Sequence, residues 1–250
     1  FWQHINGGFL LAVFAGIGLS IITLAKLFKF LLEHETYATW LMAFFFGLIL
    51  VSVYSVGRTV SRWSVGPVLA LVIGFAFALA LALLSPAGEN SSLIYLMLCG
   101  VVAMCSMILP GLSGSFVLII MGNYKLIMLD AVSEFKLNIL VPVAIGAGLG
   151  LLAFSRLLAW VFKYYRDQTI ALMTGFILGS LAIIWPWKEA VFLVDKQGEQ
   201  ILKKGQPIIS GYEWFLPEMV DSANWVALLM ILIGGIALWG IERAGMQKAS

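Results

Sequence analysis

Apolar residues along this chain run on in blocks of about 20, separated by short polar breaks, rather than recurring with the period of a half-buried helix. At 1.5 Å per residue such blocks have the length that a helix needs to cross bilayer hydrocarbon. They predict membrane spans at 9–29, 40–56, 66–84, 139–162, 170–185 and 225–241. Trp40, Trp63, Trp160, Trp185, Trp187, Trp225 and Trp239 stand at or beside the predicted ends, where amphipathic indoles favour the headgroup level. One block is interrupted: Pro110-Gly-Leu-Ser-Gly-Ser115 sets a proline, two glycines and two serines among apolar residues, leaving arms at 93–109 and 115–129. Neither arm reaches the ~30 Å of a hydrocarbon core, and a helix broken at that depth leaves backbone groups that lipid cannot satisfy.

The arms are two halves of one span or a hairpin that enters and leaves by the same face. The distribution of Lys and Arg favours the hairpin. It places Arg58, Arg62, Lys163, Arg166, Arg243 and Lys248 together on the cytoplasmic side, and leaves the loop 85–92, which has no Lys or Arg, outside. A single broken span sends the last four of these to the other side. Lys26 and Lys29 are the exceptions to the hairpin reading and fall on the outer side.

An internal repeat accounts for them. GLSIITLAKL from Gly18 aligns with GLGLLAFSRL from Gly148, matching Lys26 to Arg156, and AFFFGLILVS from Ala43 aligns with ALMTGFILGS from Ala171. The two matches keep their order at nearly equal offsets. Unit two, 93–241, is then a re-entrant hairpin (93–129) followed by three spans, and unit one, 9–84, is three spans without its hairpin. Only eight residues precede position 9, so the first hairpin is expected to be missing from this chain. Three spans reverse direction, so the second unit lies inverted relative to the first. The expected fold is an all-α polytopic membrane protein, one membrane domain over 1–250, with an extramembrane loop at 186–224. The chain opens on Phe1 with no charged segment and cleavage site behind it, so no signal peptide is read, and it reads as a fragment or a processed chain.

Composition agrees with the patterning: 62% of residues are apolar, 11% are charged, and the mean hydropathy is +1.01. The net charge of +2 argues against a nucleic-acid partner. Cys99 and Cys105 lie in the apolar first arm and read as packing residues. No acidic residue falls inside a predicted span or arm, so no metal site, cofactor or carboxylate base is expected in the membrane. Homo-oligomerisation is left open.

The chemistry of the break then becomes specific. Pro110 ends the first arm, Gly111 and Gly114 permit close backbone approach, and Ser113 or Ser115 can cap the second arm. Free N–H groups at a helix start, together with two hydroxyls, suit an anion and above all a phosphate. Lys26 and Arg156, as basic residues within spans, are candidate countercharges on the two approaches.

PGLSGSFVLIIMGNY, 110–124, with the Arg156 span and GFILGS behind it, resembles the bacterial polyprenyl-phosphate translocase family over the whole chain. The resemblance implies paired re-entrant hairpins with P-G-x-S-G breaks. It also implies return of undecaprenyl phosphate, the carrier lipid of cell-wall synthesis, from the outer to the inner leaflet of the bacterial cytoplasmic membrane. It marks Pro110, Gly111, Ser113, Gly114 and Ser115 as phosphate-binding. Two other readings stay open. Undecaprenyl-diphosphate phosphatases carry a similar P-G-x-S-R-S motif, but here Gly114 stands in place of the arginine. An ion or small-solute transporter is the third.

Overall fold

The computed structural model describes residues 7–84, 86–192, 202–203, 206–207, 209–217 and 221–248. The helices are α1 (Gly7–Leu32), α2 (Glu35–Gly57), α3 (Val65–Leu83), α4 (Leu93–Ile108), α5 (Gly114–Ile120), α6 (Leu137–Tyr164), α7 (Arg166–Ser180) and α8 (Ser222–Lys248), with a π-helical turn at Lys125–Ala131. Of these, α1, α2, α3, α6 and α8 are long and apolar enough to cross a membrane. The fold is a multi-pass, mostly helical membrane protein. It is not purely helical: within 186–224, β1 (Lys188–Phe192) pairs antiparallel with β4 (Ile209–Trp214), and β2 (Leu202–Lys203) with β3 (Gln206–Pro207). Valine and aromatic residues in KEAVF and ISGYEW favour this extended backbone.

The helices lie in parallel pairs. α2 runs beside α8, from Trp40, whose indole N–H donates to the Ala223 carbonyl at 3.0 Å, down to Ser55, whose hydroxyl donates to Glu242 at 2.7 Å. α3 runs beside α7, from Gly66 at the Gln168 side chain to Ala78 at Gly179. α4 runs beside α6, with Gly146 backed on Met97 and Gly150 on Val101. α2 and α7 meet antiparallel, with Phe46 at Trp185 and Gly57 at Thr174. α7 is the most enclosed helix. Thr169, Thr174 and Ser180 are buried on it, and each hydroxyl donates to a carbonyl three or four residues back, so none leaves an open polar group in the core. α1 packs on α2 through a small contact and stays exposed, with Phe14 and Leu19 each 69% accessible.

Three crossings bring backbone against backbone. In α4–α6, Gly100 abuts the Val143 carbonyl and Gly146 that of Met97; in the other two, Gly47 abuts the Ile231 carbonyl and Gly234 that of Phe44, and Gly175 abuts the Leu71 carbonyl and Gly74 that of Leu172. Between these last two, the positions correspond. Adding 128 to 44 and 47 gives 172 and 175, and adding 160 to 71 and 74 gives 231 and 234.

Several boundaries differ from the sequence reading: α2 begins five residues before the expected 40, and α8 runs to Lys248 rather than 241. The span expected at 170–185 is helical at Arg166–Ser180 and closes in turn bonds through Ile183. The second arm, expected over 115–129, is α5 and the π-helical turn bent 113° apart. Gly122 takes φ +73 against the Ala87 carbonyl, where a side chain has no room. Asn123 is fully buried; its side chain accepts the Asn90 N–H at 2.9 Å and donates to the Asn90 carbonyl at 2.7 Å. The arm stops where it is fastened to the loop that precedes α4.

Candidate functional site

After Ile108 the chain reverses. Leu109 donates its N–H to Ser106, Pro110 supplies no donor, and Gly111 adopts φ +87. A Cβ at Gly111 would stand 3.1 Å from Ile177 Cα and from the Phe176 carbonyl, so glycine is required by both backbone angle and space. α5 then returns along α4: Gly114 is buried, with its Cβ position 2.9 Å from the Ala103 carbonyl and 3.0 Å from Met107. At its far end, the Ile120 carbonyl accepts the Ala87 N–H at 2.7 Å and the Tyr95 hydroxyl donates to Met121 at 2.8 Å. Both ends of the α4–α5 unit therefore sit at one end of the molecule, and the turn lies inside it. Phe176, at the turn, is roughly 14 Å along α7 from Asp167 near the helix start, a little under half the ~30 Å of a hydrocarbon core.

Ser113 is the cap of α5, its hydroxyl oxygen accepting the Phe116 N–H at 3.1 Å. A capping serine keeps its O–H as a donor. Ser115 is exposed, and its hydroxyl has no partner among the described residues. With Val117 bonded back to Ser113, the N–H groups of Gly114 and Ser115 have no helical acceptor. Pro110, Gly111, Ser113, Gly114 and Ser115 thus converge on one turn carrying donors and no charge.

The two basic candidates are not joined to that turn by any hydrogen bond or ion pair among the described residues. Arg156 is exposed on α6. Continuing the α4–α6 register beyond Gly150 and Val101 brings it level with Met107, the residue that touches Gly114. Lys26 is exposed on α1, two residues before Phe28, whose ring meets Phe45 in α2.

Two polar cavities occupy opposite ends of α2, and sequence reasoning located neither. One, of about 430 Å³, is lined by Ser61, Arg62, Ser64, Pro67, Arg166, Asp167 and Gln168. Its floor is built by Asp167, whose carboxylate accepts the N–H of Ser61 at 3.1 Å and of Arg62 at 3.0 Å. The Ser61 N–H leads the interactions that hold this carboxyl below its usual range. Asp167 precedes the apolar part of α7 that begins at Ile170. Arg166 donates to the Ser61 hydroxyl at 3.1 Å, and nearby Arg58 pairs with Glu242 at 3.9 Å. The other cavity, of about 730 Å³, lies between Glu35, Thr39, Trp40, Trp185, Glu189, Asp221 and Asn224. Trp187 in its wall is buried and donates to the Asn224 side chain at 2.8 Å; Lys188, bonded to the Ile183 carbonyl, has its ammonium pushed below the usual value by burial. The signal for the first cavity was the Arg-Asp-Gln run after Tyr165, of which only Arg166 was read from the sequence, as a determinant of orientation.

A multi-pass helical bundle with an interrupted helix pair turning on uncharged donors has the build of a membrane transport protein. The chain belongs to the undecaprenyl phosphate translocase-like family, whose family model matches residues 1–201. It is 40% identical over 244 residues to a polyprenyl-phosphate transporter of Vibrio cholerae serotype O1, covering 97% of this chain and 78% of that protein. It is also 29% identical over 208 residues to a polyprenyl-phosphate transporter of Staphylococcus aureus, covering 74% and 70%. No solved structure matches the chain.

Proposed function

We propose that this protein carries polyprenyl phosphate, as its named relatives do, across the bacterial cytoplasmic membrane from the outer to the inner leaflet, returning the carrier lipid used in cell-wall synthesis. The observation that carries the reading is the turn at Pro110–Ser115, which offers hydroxyl and backbone donors half a bilayer deep. A phosphate head dragged through hydrocarbon loses its hydration at a prohibitive cost, whereas the polyprenyl tail stays in lipid throughout. The protein has only to replace water around the head. In this role Ser113 and Ser115 donate through their hydroxyls, Gly111 and Gly114 let the phosphate approach backbone, and Lys26 and Arg156 neutralise its charge on the outer and inner approaches.

The α4–α5 unit acts in this scheme as a re-entrant hairpin opening outward. The return of Ile120 to Ala87, and the parallel course of α4 and α6, support it. The inverted repeat is supported by the matched glycine crossings and by the exchange of partners. Replacing α2 by α7 and α3 by α8 turns the α2–α8 pair into the α7–α3 pair, and leaves the α2–α7 contact on itself. The same replacement turns α6 into α1, whose exposed face is where the first hairpin would pack.

The test uses the full-length protein in liposomes with undecaprenyl phosphate in the outer leaflet. The lipid is expected to become inaccessible to an external phosphate-reading probe, with no inorganic phosphate released from the diphosphate form. Ser113→Ala with Ser115→Ala removes two phosphate hydrogen bonds, each contributing about 1.5 to 3 kcal/mol. Ser115→Ala alone leaves the helix cap in place and separates binding from folding. Unimpaired movement in the folded double variant would overturn the role of the turn, and phosphate release would favour an enzyme.

A further inference from the structure

The offsets that relate the two glycine crossings also relate the two polar cavities. Adding 128 to Ala38, Thr39 and Trp40 of the tryptophan-lined cavity gives Arg166, Asp167 and Gln168 of the arginine-lined one; adding 160 to Ser64 gives Asn224. Each cavity is therefore a mouth where the two repeat units meet, built from equivalent backbone positions at opposite ends of α2. Their charges are opposed. The tryptophan-lined mouth has Glu35, Glu189 and Asp221 against Lys188, while the arginine-lined mouth has Arg62 and Arg166 against Asp167. That single acid is already turned toward the Ser61 and Arg62 N–H groups, with the Arg166 guanidinium 3.8 Å away. The Arg62 side chain, exposed at the cavity, makes no hydrogen bond or ion pair among the described residues.

We propose that the cavity between Ser61–Ser64, Pro67 and Arg166–Gln168 is a second anion site, built for a phosphate monoester, while its counterpart at the other mouth repels such a group. Arg62 and Arg166 supply the charge, and planar guanidinium groups donate in pairs to phosphate oxygens. Ser61, Ser64 and Gln168 line the cavity with further polar groups, and its 430 Å³ is ample for a phosphate head with the first atoms of its chain. The site stands on this geometry alone. Its place in transport, as the station that receives the head after the Ser113–Ser115 turn, rests on the reading above. The charge difference between the mouths then favours an anion at the cytoplasmic end.

Inorganic phosphate distinguishes the two stations, because it reaches the water-facing cavity and not a turn set half a bilayer deep. With full-length protein in phosphatidylcholine nanodiscs, phosphorus NMR titration of inorganic phosphate is expected to show saturable binding. Arg62→Gln should weaken that binding about tenfold or more, as should Arg166→Gln. Arg243→Gln, which removes the same charge from a side chain stacked 4.9 Å over Trp239, should leave it unchanged. Farnesyl phosphate is expected to bind in competition with inorganic phosphate, and phosphatidylglycerol included in the nanodisc is not. Equal competition by phosphatidylglycerol overturns the monoester specificity, and binding unchanged in folded Arg62→Gln overturns the site. If farnesyl phosphate binding is lost in the double-serine variant and kept in Arg62→Gln, the transport reading stands and this inference falls. If inorganic phosphate binding depends on Arg62 but farnesyl phosphate does not bind at all, the anion site stands and the transport reading falls.

Discussion

Substituting alanine for Gly47 or Gly175 tests the correspondence between the two helix crossings most directly. At each position the added methyl would lie inside van der Waals contact of a backbone carbonyl, Ile231 in one case and Leu71 in the other, with further backbone atoms behind it. Side chains can rotate away from an intruding methyl, but a carbonyl fixed in a helix ladder cannot, so the helices must separate. Overpacking costs typically 1–3 kcal/mol, and contact with backbone belongs at the upper end, about 3 kcal/mol for each variant. For a chain of this size that corresponds to a fall in Tm of about 6–12 °C. Gly235→Ala supplies the contrast on the same helix: its methyl meets only Val51 Cγ2, at 3.1 Å, and should cost less than about 1 kcal/mol. Gly148→Ala faces open space and should be neutral or slightly stabilising. The assay is thermal unfolding in detergent, followed by tryptophan fluorescence. Gly47→Ala with Gly234→Ala touches one crossing, so the two effects should combine to less than their sum; Gly47→Ala with Gly175→Ala touches two and should be additive. A neutral Gly175→Ala beside a damaging Gly47→Ala would refute the correspondence of the two crossings.

Two further outcomes follow from the arginine-lined end. Because its folded-state value is depressed, Asp167 contributes stability that is present above the ordinary carboxylate pKa and lost as pH falls through the folded value. Asp167→Asn should therefore lower Tm at neutral pH, with the gap to the native protein closing below about pH 4, as a melting series across pH would record. Glu242→Gln removes the charged partner of Arg58 and weakens the bond from Ser55, and should lower Tm by about 1–2 °C for each half kilocalorie lost, less at high salt. An unchanged melting curve would exclude a tie between α2 and α8 at that end.

Most of the fold was legible because lipid makes span length a physical requirement: the predicted 66–84 and 139–162 fall inside or at the edge of α3 and α6. The first arm was legible for a similar reason, since Pro110 stops α4 within two residues of the expected end. The proposed repeat was half visible. Gly47 and Gly175 lie in a ten-residue match at an offset of 128, whereas Gly74 and Gly234 stand at an offset of 160, and only their backbone contacts point to a pairing. The break of α5 was written in Gly122 and Asn123, but its cause, a buried amide holding Asn90, is a contact that sequence spacing does not carry. A cap at Ser113 or Ser115 and tight backbone at Gly111 and Gly114 were expected from residue type; the structure has Ser113 as the cap and Gly111 at the reversal. The two polar cavities were not expected. The equivalence proposed for them depends on two different offsets acting together.

The pairing of α2 with α8 has a consequence for how the chain is made. Trp40 donates to a carbonyl 183 residues further along, so α2 enters the bilayer long before its neighbour exists. At ~5–20 residues per second that interval is about 10–40 s of synthesis. During it, the groove at Gly47 faces lipid or a helper, while α3 gains α7 well before α8 emerges. A helix made late is thus the one that closes the first part of the bundle, and premature termination anywhere before Ser222 leaves an inserted, half-seamed chain for quality control to find.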